Sequence, residues 1–258
     1  MIFPTITLML TGGVILNAPS DPDYVETAWI VQPDASQLGV RKVSDSAYVL
    51  KNRLLPPSLI ELEDDVKDAK SGKILAKSGD QLFGLLSRGA PVFCVNAVPK
   101  PDLARSLFVS GNLQRCMIDN DADGRLDSHF NAGNAVPGLP NFSRKRPKKD
   151  KAVSGGSYRH IDPALDNQNY FVGVRYEGTV GKLSKQPWPT FSVRFGTEDN
   201  TGRMSDNTMS ADEGFPFMVR VLGSSFSVLA IENDVISIRV DQAVPEQRFG
   251  VVQTVRYY

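Results

Sequence analysis

Residues 216–240 read PFMVRVLGSSFSVLAIENDVISIRV, and this stretch decides the fold. Three short runs, Pro216–Leu222, Phe226–Ile231 and Val235–Val240, are built from Val, Ile, Phe and Leu. They are separated by Gly223-Ser224-Ser225 and by Glu232-Asn233-Asp234. Branched and aromatic side chains suit a pleated, half-buried surface, and runs this short cut by turn residues form an antiparallel meander. Moving outward, Tyr170–Tyr176, Thr190–Phe195 and Gly250–Tyr257 extend the pattern, and the polar segment Thr197–Gly214 is expected as a mobile surface loop.

The first half carries the same punctuation. Tyr24–Val31 and Ala47–Leu50 are strand-like runs bounded by Pro and Asp clusters. Leu59–Lys70 fits two descriptions, a short amphipathic helix with Leu59, Leu62 and Val66 on one side, or a strand running into a charged turn; strand and turn is the reading adopted. Lys73–Leu86 reads as a hairpin about Ser78-Gly79-Asp80, and Pro99–Leu107 as one or two helical turns. The fold class expected is mainly β, an antiparallel sandwich or barrel-like sheets with little helix. Four regions follow: residues 1–20, 21–130, 131–157 and 158–258. The first is a signal or first strand, the second and fourth are β-rich, and the third is a linker or exposed basic loop.

Lys plus Arg and Asp plus Glu both number 29, so no global field draws the chain to nucleic acid or an acidic membrane, and a charged partner must use a local patch. One such patch is RKRPKKDK at Arg144–Lys151. It has no interleaved aromatic ring to stack on bases, so it reads as a solvated loop and nucleic acid is disfavoured. The apolar run Ile6–Leu16 is too short to span a bilayer and matches a signal-peptide core, although no Lys or Arg precedes Arg41. No transmembrane segment is expected.

Arg115–Phe130, RCMIDNDADGRLDSHF, holds the one constellation with chemical spacing. Asp119, Asp121 and Asp123 alternate, Gly124 follows and Asp127 completes D-x-D-x-D-G-x-x-D. A hard cation takes oxygens, and carboxylates at every second residue of a tight loop turn toward one centre, with the Arg125 carbonyl brought inward after Gly124. The other description is a plain hairpin with Asp123-Gly124 at its turn. That explains the glycine but not four carboxylates in nine residues, which only Arg115, Arg125 and His129 are at hand to balance.

Cys94 and Cys116 are the only cysteines, each inside a strand-like run. A Cys94–Cys116 bridge in an oxidising compartment is expected, the other description being two buried thiols packed in a reducing one. No C-x-x-C, G-x-S-x-G, P-loop, dinucleotide fingerprint or H-E-x-x-H occurs. His129 and His160 read as packed residues rather than catalysts.

The acidic loop resembles the calcium loops of EF-hands and dockerins over about a dozen residues, and departs from the EF-hand where Phe130 stands in place of a bidentate Glu. That resemblance implies a weak calcium site, in the range of about 10⁻⁴ to 10⁻³ M. The whole chain looks similar to uncharacterised extracytoplasmic proteins of Gram-negative bacteria with a cysteine just before such a loop, as Cys116 is. It implies a periplasmic or secreted location. The function expected is an exported β-rich protein with a structural calcium loop, acting as an envelope or interaction module. The alternative is an extracytoplasmic carboxylate-dependent hydrolase acting on a glycan or other polymer, with Trp188 as a candidate exposed aromatic. No specific partner is named beyond an envelope component or polymer.

Overall fold

The structure is a computed structural model, and it describes residues 22–96, 112–134, 136, 138–141, 145–147, 150–180, 188–208 and 214–250. The signal-like run, the helical turns expected at Pro99–Leu107 and all but Gly250 of the last expected strand lie outside these residues. In chain order the strands are β1 (Val25–Glu26), β2 (Trp29–Val31), β3 (Gly39–Ser44), β4 (Tyr48–Leu55), β5 (Leu59–Leu62), β6 (Val66–Asp68), β7 (Ile74–Ala76), β8 (Gln81–Gly84), β9 (Leu86–Ser87), β10 (Val92–Val95) and β11 (Asn112–Ile118). There follow β12 (Ser128–Asn134), β13 (Pro140–Asn141), β14 (Lys151–Ser154), β15 (Tyr158–Ile161), β16 (Phe171–Val180), β17 (Trp188–Thr197), β18 (Asn200–Thr208), β19 (Phe217–Val221), β20 (Ser224–Glu232), β21 (Val235–Gln242) and β22 (Arg248–Phe249). Among the described residues the helical segments are two single 3-10 turns, Ala35–Gln37 and Pro163–Leu165. The fold is mainly β and its pairings are antiparallel.

The described residues divide into two compact units that interleave in sequence, one within 31–54 and 170–247, the other within 22–30, 55–169 and 248–250. In the first, one sheet runs β18-β17-β16-β4 and another runs β19-β20-β21-β3. Alternate residues of each strand face inward, and Phe191 of β17 meets Phe226 of β20 edge-on at 5.2 Å between ring centres. Val174, Val193, Val219, Ile236 and Ile238 are all buried, as two sheets packed face to face require. Asn200–Thr208, expected within a mobile loop, is instead β18, an edge strand in register with β17 from Thr197↔Asn200 to Thr190↔Thr208. An edge strand with one solvated side needs few apolar residues, which is why this one reads as polar.

In the second unit the sheet order is β15-β5-β8-β10-β11-β12-β14-β6-β7. Its two ends meet. β5 runs through Glu63-Asp64-Asp65 into β6, and β14 runs through Gly155-Gly156-Ser157 into β15. β14 pairs with β6 while β15 pairs with β5, so the sheet returns on itself as a barrel. The seam turns a corner at the two glycines. A Cβ on Gly155 would come 2.3 Å from the Asp65 carbonyl, its φ is +76°, and Asp64 accepts hydrogen bonds from the backbone N–H of Gly156 and of Ser157 (2.9 Å). Residues 131–157, read from sequence as linker or exposed basic loop, therefore include the end of β12, β13 and β14.

The barrel interior holds Ile60, Leu62, Val66, Ala76, Leu82, Phe93, Val95, Met117 and Leu126. The strand reading at Leu59–Lys70 corresponds to β5 and β6. The Lys73–Leu86 hairpin does not form as expected: β7 pairs with β6, and β8 pairs with β5 and β10. The chain reverses instead between β6 and β7, where Gly72 has φ +68° and Asp68 accepts from the N–H groups of Lys70 and Ser71. Ser78-Gly79-Asp80 is a kink within the long hairpin, closed by Gly79 N–H to the Leu62 carbonyl at 2.8 Å.

Candidate functional site

The acidic loop connects two strands of the barrel. β11 and β12 pair from Asn112↔Asn134 to Ile118↔Ser128, so the hairpin and the acidic loop are one object, with its turn spread over residues 119–127. Asp127 N–H donates to the Ile118 carbonyl (2.8 Å), and the Asp127 carbonyl accepts from Val153 N–H (2.9 Å). Leu126 N–H reaches the Gly156 carbonyl and Tyr158 N–H the Gly124 carbonyl, which ties the far side of the loop to the seam. Between these two bonds, the carbonyl of Arg125 points away from the seam, as alternation along a strand requires.

Asp119, Asp121 and Asp127 each offer a carboxylate oxygen within 4.8 Å of the others, so this cluster can hold a metal ion. The three are not equivalent. Asp119 is fully buried, and its carboxylate accepts from the N–H of Asp123 (3.2 Å), the N–H of Gly124 (3.0 Å) and the hydroxyl of Tyr158 (2.7 Å). Asp121 and Asp127 are exposed, and Asp127 accepts from Asn120 N–H at 2.6 Å. The fourth aspartate expected in the site, Asp123, is not gathered with them; its oxygen accepts from Arg125 N–H two residues on (2.9 Å). That local turn supports the bend, with Ala122 and Gly124 both at positive φ. Phe130 lies on β12 opposite Cys116 and is buried, so its position in the chain faces the fold and not the loop.

With calcium–oxygen bonds of about 2.3–2.6 Å, two ligands of one ion lie at most about 4.6–5.2 Å apart, and the three oxygens here all lie within 4.8 Å of one another.

The counter-charges differ from those expected. Arg115 donates to the Leu75 carbonyl (2.9 Å), and His129 faces Asp68 at 3.4 Å. Arg146, from the basic run, takes the place next to the loop by donating to the Asn120 side-chain oxygen (3.2 Å) and lying 3.8 Å from Asp23. Burial first, then the hydrogen bond to Asp119 and the negative charges of Asp119 and Asp123, hold the Tyr158 hydroxyl well above its ordinary range, so it stays a donor. Its ring packs on Phe93 at 5.1 Å and on His160 at 5.5 Å, joining the loop to the barrel interior. Neither Tyr158 nor Arg146 stands out in the sequence, since each reaches the loop through a long-range pairing.

Cys94 and Cys116 sit directly opposite each other on β10 and β11 and form a disulfide, with Cα atoms 4.0 Å apart. A bridge of this kind persists in an oxidising environment. No described helix is long and apolar enough to cross a membrane. The chain matches no protein-family model, no curated protein and no solved structure.

Proposed function

We propose that this is an exported, periplasmic or secreted protein whose barrel carries a structural calcium site, and that it acts as an envelope or interaction module. One observation carries the ion reading: the exposed carboxylates of Asp121 and Asp127 are held within 4.8 Å of the buried carboxylate of Asp119 instead of splaying apart. Like charges at this distance favour a cation between them. The ligands are carboxylate oxygens of Asp119, Asp121 and Asp127, the Arg125 carbonyl and water, with Asp123 shaping the turn. So few protein oxygens imply low affinity, about 10⁻⁴ to 10⁻³ M, enough for structure in a calcium-rich space. The disulfide supports export. The likeness of the acidic loop to EF-hand and dockerin loops, and of the whole chain to extracytoplasmic proteins of Gram-negative bacteria, agrees with this reading.

A carboxylate-dependent hydrolase is less well supported. Asp119 is fully buried, so its carboxylate lies out of reach of a polymer's glycosidic bond.

Melting in calcium and in chelator tests the ion. Ligand at about a hundred times its dissociation constant adds about 2.7 kcal/mol, a rise of roughly 5–11 °C for a chain of this length. About 10 mM calcium reaches that ratio for the tighter end of the range. The double variant Asp121→Asn, Asp127→Asn is expected to lose the rise and to melt unchanged in chelator. Identical curves for the unmodified protein in calcium and chelator would leave the loop as a hairpin turn.

A further inference from the structure

We draw no further inference here: the strongest candidate, the outer edge of β19 with the exposed side chains of Phe215 and Met218 beside it, is an apolar patch at the end of its sheet among the described residues, and nothing in the structure shows what covers it.

Discussion

Replacing Asp119 by Ala separates what this residue does for the fold from what its neighbours do for an ion. The carboxylate is fully buried and holds three donors, two backbone N–H groups and the Tyr158 hydroxyl. Removing a buried acceptor costs about 1–3 kcal/mol for each donor left unpaired, and water lowers that cost where it can enter. Asp123 is exposed and Gly124 partly so, which puts those two bonds at the low end, about 0.5–1 kcal/mol each. Tyr158 is packed against Phe93 and cannot swing out, so its hydroxyl contributes about 1–2 kcal/mol. The total is about 3 kcal/mol, a fall of roughly 6–12 °C for a chain of this length. Asp121→Ala removes an exposed carboxylate and is expected to stay within about 0.5 kcal/mol. Calorimetry in chelator compares the two, and ultraviolet titration adds a second reading, because Tyr158 is expected to ionise closer to its ordinary value of 10.0 once Asp119 is gone. Equal melting temperatures for Asp119→Ala and Asp121→Ala in chelator would refute the claim that the loop hangs on Asp119.

Two further outcomes follow from the barrel. Cys94 and Cys116 close a loop of 22 residues, so the double variant Cys94→Ala, Cys116→Ala is expected to lose about 3 kcal/mol, with its melting temperature unchanged by reductant while that of the unmodified chain falls. His129 is held below its ordinary value of 6.5, first by burial and also by Arg115 and Lys151, against the opposing hydrogen bond with Asp68. The unfolded chain therefore takes up this proton first, and the stability tied to a neutral His129 is complete above about pH 6.5 and lost as pH falls toward its lower folded value. Asp68, pulled down to about 2 chiefly by hydrogen bonds from Ser71, stays charged through that window. His129→Gln is expected to flatten the melting-temperature profile just below pH 6.5; a slope equal to that of the unmodified chain would exclude His129 as its source.

The meander from Phe217 to Gln242 was legible because its information is local. Period-two alternation and a turn every few residues determine β19, β20 and β21 with no reference to the rest of the chain. The barrel was not legible, because its closure depends on Asp64 meeting Gly156 and Ser157 across more than ninety residues. No periodicity marks such a pairing, and Gly155-Gly156 taken alone is the signature of a linker. β18 was missed for a related reason: a solvated edge strand needs only neighbours on one side, and its Thr, Arg and Ser residues carry no apolar signal. Within the acidic loop, the spacing of the aspartates located the cluster but not its division of labour. Which carboxylate is buried follows from Tyr158, a residue of β15 that reaches Asp119 only after the barrel has closed.

That closure determines what the loop can do. Ile118 pairs with Val92 and Ser128, the disulfide locks Cys116 two residues earlier, and Arg125 bridges to Ser157 across the seam. Both ends of the loop are therefore fixed by strands that cannot move without opening the barrel. A cation at Asp119, Asp121 and Asp127 meets ligands already drawn together, so little ordering entropy is lost on binding. The same rigidity limits what binding can change, because no strand is left free to rearrange around the ion. Such a site is suited to holding a fold in place and poorly suited to signalling, which requires a second arrangement of comparable free energy.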